Sequence, residues 1–268
     1  MQIEIWGVRG GIASSGPQTA HYGGNTPCVS VETADGTLVI LDAGTGVRAL
    51  GERIAESGQH RPIHIVLSHF HWDHVQGLPF FAPLWRERFE VNIYAAYAPA
   101  QIERAVHQQF AAPFFPVSIE ETQATIRFHD VRETRNIGGL RIASFEQYHP
   151  QGSTGYRLEA EGAAFVYATD SEGGVAATDA ELERHAKGAD VLLLDAQYTP
   201  AEIVHRRRWG HGDWQRACDV AQRSGVNKLL LFHHDPARTD DEMRKIEAQA
   251  KQVFRETEAA QERASFRF

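Results

Sequence analysis

The chain has 268 residues, 42% of them apolar and 23% charged, which is long enough to bury a full core and typical of a globular protein. Its net charge of −8 argues against a broad phosphate-binding surface, so a long nucleic acid is not an expected partner. No apolar stretch approaches the ~20 residues that a membrane span requires, so no membrane association is expected.

The first segment, Met1 to Trp6, has the pattern of a strand and not of a secretory leader. The two cysteines, Cys28 and Cys218, cannot form a disulfide framework and are expected to be buried thiols in a reducing compartment. Together these features predict a soluble cytoplasmic protein.

The first half of the chain is predicted to consist mainly of strands. Val47, Leu50 and Ile54 repeat at helical spacing, which predicts a helix soon after Asp42. An amphipathic helix is also expected within 99–118, and a Phe/Pro-rich loop at 77–83. Short β-branched or alternating runs predict strands over 3–6, 28–33, 37–42, 63–67 and 91–96.

The second half of the chain is also predicted to consist of strands and helices that alternate. A capping-box pattern predicts a helix that begins at Thr178, and a second helix is expected from Asp213 to Ser224 with Gly225 as its stop. The last helix is expected to run from about Asp240 towards the C-terminus. No linker, repeat or low-complexity tract interrupts the chain, which favours one domain over 1–268 with two β-sheets between helices. The further predicted strands are 125–128, 140–146, 155–160, 164–168 and 191–195.

The most informative segment is Ser68-His69-Phe70-His71-Trp72-Asp73-His74, which directly follows a predicted buried strand. A strand that ends in three histidines and a carboxylate directs several donors into one small volume. Imidazole and carboxylate at this density suit a first-row divalent metal such as zinc or manganese. A solvated, histidine-rich loop is the alternative, but the His-x-His-x-Asp-His spacing is specific and favours metal.

Further donors stand at the ends of later apolar runs. His149, Asp170 and the doublet His233-His234 each stand among the first polar residues at the end of such a run. Layered folds place their chemistry at strand ends of this kind. Any one of them alone would more often be an ordinary loop residue, but all of them together with the histidine-rich loop favour one shared metal site.

These residues resemble the metallo-β-lactamase superfamily, and the resemblance covers nearly the whole chain. It implies an αββα sandwich of two mixed β-sheets flanked by helices, and two divalent metal ions, with zinc as the first choice and manganese or iron as alternatives. Asp42 resembles the acid that supports the metal loop by accepting a hydrogen bond from a bound histidine. The implied ligands are His69, His71 and His149 for one metal, Asp73, His74 and His233 for the other, and Asp170 between them.

Within the superfamily, the chain is most similar to the ribonuclease Z-like phosphodiesterases. In that branch a histidine precedes the last helix, about 22 residues before the final ligand, and His211 matches it. The resemblance implies that this histidine protonates the leaving oxygen or steadies the phosphate. The family pattern His-Ser-Thr is replaced here by His211-Gly212-Asp213, which leaves the helix cap to Asp213. By its spacing from His211, His233 is assigned to metal, whereas His234 is either a pocket residue or a hydrogen-bonded loop histidine.

The resemblance thus implies a binuclear phosphodiesterase acting on a small phosphodiester. The segments 7–11, 23–26 and 232–236 look like a bacterial, archaeal and phage subgroup of stand-alone hydrolases, some of which cleave cyclic nucleotides. A metal-bound hydroxide would attack phosphorus, with Asp73 orienting it and His211 as general acid. Trp72 is expected to pack beside the site. Other candidates for substrate contact, each more often structural in such loops, are Arg9, Asn25, Ser153 and Thr154.

Alternative functions stay open at this stage. A lactonase or another ester or thioester hydrolase could use the same scaffold, and so could a non-catalytic metal-dependent module. A tRNA 3′-processing endonuclease is disfavoured, because those relatives carry a long basic arm that this sequence lacks. A di-iron oxygen-binding role is also disfavoured, since such relatives have Glu in place of His71. Dimers are common in the family, so a homodimer is a further expectation.

Overall fold

The structure is a computed structural model that describes residues 1–58 and 61–268. Across these residues the chain forms fourteen strands, which in order are β1 (Gln2–Gly7), β2 (Cys28–Glu32), β3 (Leu38–Leu41), β4 (Ile63–Val66), β5 (Glu90–Ala95), β6 (Thr125–Asp130), β7 (Arg135–Ile137), β8 (Leu140–Gln147), β9 (Ser153–Ala160), β10 (Ala163–Ala168), β11 (Val191–Asp195), β12 (Lys228–Phe232), β13 (Thr257–Ala259) and β14 (Ser265–Arg267).

The helices alternate with these strands. Short 3₁₀ turns occupy Leu78–Phe80, Ala82–Trp85 and Ile119–Glu121. None of the helices in the described part of the chain combines the length and the apolar character that crossing a bilayer demands. The α-helices are α1 (Val47–Glu56), α2 (Trp72–Val75), α3 (Pro99–Gln109), α4 (Ala176–Ala186), α5 (Pro200–Ile203), α6 (Trp214–Ser224) and α7 (Asp240–Val253).

The strands form two mixed sheets of seven strands each. The first has the order β14-β1-β2-β3-β4-β5-β6, and the second has the order β13-β12-β11-β10-β9-β8-β7. In the first sheet β3 to β6 are parallel, and in the second β10 to β13 are parallel, whereas the other neighbours are antiparallel. Parallel neighbours end at the same edge of a sheet, so the segments after β3 and β4, and those after β10, β11 and β12, come together.

Three apolar clusters hold the layers together. The inner faces of both sheets share one cluster, in which Ile5 and Val31 of the first sheet join Phe165 and Leu193 of the second. The outer face of the first sheet packs against α1, α3 and the 3₁₀ turns, and the outer face of the second packs against α4, α6 and α7. This arrangement confirms the predicted αββα sandwich of two mixed sheets flanked by helices.

Two predictions about elements are wrong. The fourth helix begins at Ala176, because Thr178 bonds back to the carbonyl of Val175 and does not cap the helix. The last helix ends at Val253, and the chain then adds β13 beside β12 and β14 beside β1. These short edge strands lack the alternation of apolar and polar residues that identifies longer ones. The cap at Asp213 and the stop at Gly225, which lies at φ 62°, are confirmed.

Candidate metal centre

The predicted donors gather at one edge of the sandwich, where strands of both sheets end. Asp42 follows β3, Asp170 follows β10 and His233 follows β12. All three have a positive φ, at 59°, 51° and 61°, which residues with a side chain rarely adopt. Backbone strain of this kind costs about 1–3 kcal/mol per residue and persists where the surrounding structure imposes it, as at functional sites.

Four donors form the first group. Nε2 of His149 lies 3.1 Å from Nδ1 of His71, and Nε2 of His69 and of His149 each lie 3.6 Å from Oδ2 of Asp170. Ligands held at about 2.0–2.1 Å around a tetrahedral zinc ion are about 3.3 Å apart. The spacing of these donors is therefore that of the ligands around a single metal ion.

The second group of donors includes the other carboxylate oxygen of Asp170, Oδ1. Oδ1 of Asp170 lies 3.1 Å from Nε2 of His74 and 3.2 Å from Nε2 of His233. Oδ2 of Asp73 lies 3.3 Å and 3.2 Å from the same two nitrogens. Asp170 thus presents one oxygen to each group, an arrangement in which one carboxylate can bridge two metal ions.

The charges and unpaired atoms of the centre fit two cations. Nε2 of His69 and of His74 are buried and have no hydrogen-bond partner among the described residues. Burial opposes ionisation of Asp73 and Asp170, but the surrounding imidazoles outweigh it and lower the pKa of both carboxyls. Burial also acts against the charged form of His74, yet the carboxylates around it raise its pKa. The centre therefore carries an excess of negative charge, which a divalent cation would balance in place of the proton on His74.

Each of the five histidine rings in the two donor groups has a hydrogen-bond partner on the side away from the centre. A bond at one ring nitrogen fixes the ring and leaves the other nitrogen facing the centre, the arrangement typical of metal-bound histidine. The bonded pairs are His69 Nδ1 with Ser68 Oγ at 3.0 Å, His71 Nε2 with Gln151 Oε1 at 3.0 Å, His74 Nδ1 with Asp42 Oδ2 at 2.7 Å, His149 Nδ1 with the Gly210 carbonyl at 2.9 Å, and His233 Nδ1 with Gln197 Oε1 at 2.8 Å.

Asp42 is the most connected of these supports. It is fully buried, and its Oδ1 accepts the main-chain N–H of Ser68 at 2.7 Å. Its Oδ2 accepts from the Ser68 hydroxyl at 2.8 Å, from the Tyr167 hydroxyl at 2.7 Å and from His74. Asp42 thus orients both the start of the histidine-rich loop and one donor of the second group.

We expect Asp42→Asn to weaken metal binding about 10-fold, because the substitution keeps the volume of the side chain but removes the charge that orients His74. Chelator competition against the purified protein would measure this change. Asp241→Asn is the matched control, because the side chain of Asp241 is 83% exposed on α7. Equal metal affinity in both variants would contradict the role of Asp42.

His211 lies beside the ligand groups. Its Nδ1 lies 2.9 Å from Oδ2 of Asp195, and its ring stacks on that of His233 with centroids 4.8 Å apart. Burial acts to lower the pKa of His211, but the carboxylates of Asp195, Asp170 and Asp73 together outweigh it and raise this pKa to about 9. His211 also lines a cavity of about 480 Å³ together with Asp73 and Asp170.

Three supporting side chains were not predicted from the sequence. Asp195 is fully buried and also accepts the N–H of Gly212 at 2.9 Å, which fixes the loop that carries His211. Asp195 ends the apolar run of β11, so the pattern that identified Asp170 could have identified it too. Gln151 and Gln197 stand in loops and carry no comparable local pattern.

Arg9 and Asn25 lie away from the metal centre. Arg9 is fully buried and donates to three main-chain carbonyls, those of residues 23, 235 and 238. The amide of Asn25 donates to Glu262 at 3.0 Å and accepts from the Thr45 hydroxyl at 3.0 Å. Both side chains hold loops in place, so the structure does not bring them to a position for substrate contact.

His234 also turns away from the pocket. It is buried, its Nε2 donates to the carbonyl of Ala260 at 2.8 Å, and its ring meets that of Tyr22 edge-on. Burial lowers the pKa of His234 to about 3, so the ring is neutral. Of the two predicted alternatives for His234, the structure supports a hydrogen-bonded loop histidine and not a pocket residue.

The remaining candidates lie near the centre but outside its cavity. Ser153 and Thr154 begin β9 and line a separate cavity with Tyr97. The hydroxyl of Ser153 donates to the carbonyl of Thr169 at 3.4 Å. Trp72, in contrast, lies beside the site as expected: it lines the cavity that holds His211 and is 70% exposed at its rim.

The sandwich fold and the paired donor groups at its strand edge define a metal-dependent hydrolase of the metallo-β-lactamase fold. The sequence model of the beta-lactamase superfamily domain matches residues 37–234, and the chain belongs to that family. A protein named ribonuclease Z from Exiguobacterium sibiricum is 26% identical over 253 residues, which cover 75% of this chain and 84% of the relative.

Solved structures agree in fold. The metallo-beta-lactamase fold protein YhfI from Bacillus subtilis has a TM-score of 0.72 at 19% identity, with 99% of both chains covered. A diphosphatase from the PhnP family also has a TM-score of 0.72, at 21% identity, with 100% of this chain and 97% of that chain covered.

Proposed function

We propose that this protein is a binuclear metal-dependent phosphodiesterase that hydrolyses a small phosphodiester, such as a cyclic nucleotide. The observation that carries the proposal is His211, which lines the cavity while its Nδ1 lies 2.9 Å from the buried carboxylate of Asp195. These two residues could also form a donor group with Asp170 and His233, but each of the two groups described around Asp170 has four donors without them. A phosphodiester needs a proton for its departing alkoxide, and a histidine held by a buried carboxylate is suited to supply it. The relative named ribonuclease Z and the neighbour named diphosphatase are consistent with phosphorus–oxygen bond cleavage.

We assign the ligands accordingly. His69, His71 and His149 would hold one ion, Asp73, His74 and His233 the other, and Asp170 would bind both. Two divalent cations, when bound, neutralise charge on phosphoryl oxygens and lower the pKa of a coordinated water. Zinc is the first choice for these groups of four imidazole and carboxylate donors, with manganese or iron as alternatives.

The residues of the chain position the substrate and move the proton. The main-chain N–H of Gly11 donates to Oδ2 of Asp73 at 2.7 Å and so fixes this carboxylate beside the cavity, where it can orient the nucleophile. His211 delivers its proton from Nε2, because Nδ1 is engaged by Asp195. A cavity of about 480 Å³ suits a small molecule, and with the net charge of −8 it disfavours a long nucleic acid as substrate.

The proposal is tested with purified protein loaded with zinc and, separately, with manganese. The substrates are bis-p-nitrophenyl phosphate, cyclic mononucleotides, RNA and acyl lactones. We expect turnover of the phosphodiesters to exceed that of the lactones, and small phosphodiesters to exceed RNA. Lactone turnover far above that of every phosphodiester would overturn the proposal. Faster turnover of RNA than of the small phosphodiesters would instead support the alternative of an RNA-processing enzyme.

A further inference from the structure

A second cavity, of about 330 Å³, adjoins the metal centre on the side away from His211. It meets the first cavity at Phe70 and His71, which line both. Its far wall is α3, which presents polar side chains towards the metal loop. The residues that define this groove are Phe70, His71, Tyr97, Arg104, Gln108 and Gln151.

The groove offers aromatic surface on one side and free polar groups on the other. The rings of Phe70 and Tyr97 lie 5.4 Å apart at their centroids, and both are partly exposed. Arg104 and Gln108 are exposed on α3, and neither side chain forms a hydrogen bond or an ion pair with any residue in 1–58 or 61–268. The exposed Arg48, Arg53 and Arg127 are paired with carboxylates, whereas Arg135 and Arg207 resemble Arg104 in forming no such pair with the described residues. Arg104 differs from these two by its place in the wall of the groove.

We propose that this groove is a nucleoside subsite, which binds the nucleoside of the substrate while the oxygen of the P–O bond that breaks faces His211. The inference rests on the proposed phosphodiesterase function. Aromatic side chains bind the face of any base, whereas a guanidinium and an amide match the acceptors and donors along its edge. The groove borders the ligand His71 but not His211, so a nucleoside bound there would leave His211 free to face the departing oxygen.

Two esters with the same leaving group test this inference. Thymidine 5′-(p-nitrophenyl phosphate) and methyl p-nitrophenyl phosphate both release p-nitrophenolate, but only the first retains a nucleoside. We expect kcat/KM for the thymidine ester to exceed that for the methyl ester. Arg104→Ala and Tyr97→Leu should each lower this ratio about 10-fold, mainly through KM, because stacking and edge contacts to a base are lost.

Arg255→Ala is the matched control for the loss of one positive charge, because the side chain of Arg255 is 95% exposed and lies between α7 and β13. In this control the ratio of kcat/KM for the thymidine ester to that for the methyl ester should equal the ratio in the unaltered protein. Thermal melting would establish that each variant is folded. If the ratio of the two kcat/KM values is the same in the unaltered protein and the three variants, the nucleoside subsite is refuted. The proposed phosphodiesterase function would not be affected by that result.

A binding measurement separates the two proposals. Thymidine 5′-monophosphate is titrated calorimetrically into the metal-loaded protein and into both groove variants. If neither ester is hydrolysed but the nucleotide binds the unaltered protein about 10-fold more tightly than the variants, the subsite stands and the phosphodiesterase proposal fails. If the nucleotide binds all proteins equally, the subsite is refuted whatever the turnover.

Discussion

Replacement of Asp170 by alanine is expected to release at least one metal ion per chain and to lower kcat/KM by about 10⁴-fold or more. The carboxylate is 1% exposed and offers one oxygen to each donor group, at 3.1–3.2 Å from His74 and His233 and at 3.6 Å from His69 and His149. Its loss removes a donor from both groups and the negative charge between them. Elemental analysis and turnover of bis-p-nitrophenyl phosphate would measure the two effects.

His69→Ala completes this experiment, because His69 belongs to the first group alone. It should lose one ion, keep the second and also lose essentially all turnover. Asp241→Ala controls for the loss of an acidic side chain at an exposed position on α7. Full activity with less than one metal ion per chain would contradict a binuclear centre.

The second large effect is expected for His211→Ala, which separates proton donation from metal binding. The variant should keep both metal ions, because the two groups built around Asp170 have four donors each without His211, whose Nδ1 is engaged by Asp195. Its kcat should fall by about 10²–10⁴-fold on a substrate with a poor leaving group, the usual contribution of a general acid. A p-nitrophenolate leaving group needs little protonation, so the loss should be much smaller there.

The pH dependence gives an independent measurement of the same role. Burial opposes protonation of His211, but the carboxylates of Asp195, Asp170 and Asp73 together outweigh it and raise its pKa to about 9. Bound cations would bring this pKa down by charge repulsion. Activity on the poor leaving group should therefore fall as pH rises through a value at or below about 9, and this descending limb should be absent in His211→Ala.

His205→Ala is the matched control, because His205 is exposed on the preceding loop. Asp195→Asn should shift the descending limb to lower pH, since it removes the carboxylate that stabilises the charged imidazole. An equal loss on both leaving groups in His211→Ala would point to phosphate positioning in place of proton transfer. Unchanged kinetics on both would show that His211 only supports the structure.

The sequence determined the fold class and the residues that meet at the centre. The alternating and apolar runs identify most of the long strands, because burial of one or both faces imposes that pattern on the chain. The histidine-rich loop is local in sequence, and the first polar residue after an apolar run marks the strand edge. That rule indicated His149, Asp170 and the doublet His233-His234, and the spacing from His211 in the family resemblance selected His233. The structure brings His149, Asp170 and His233 together at the centre.

Only the tertiary structure shows which of two neighbouring side chains faces the centre and which one supports the fold. His233 has φ 61°, and the main chain of His234 pairs with the segment around Arg9, so the two rings point to opposite sides. The acceptors Gln151 and Gln197, the backbone role of Arg9 and the groove under α3 likewise depend on elements distant in sequence. Side-chain direction at a strand end follows from the pairing of such elements, and no local pattern encodes it.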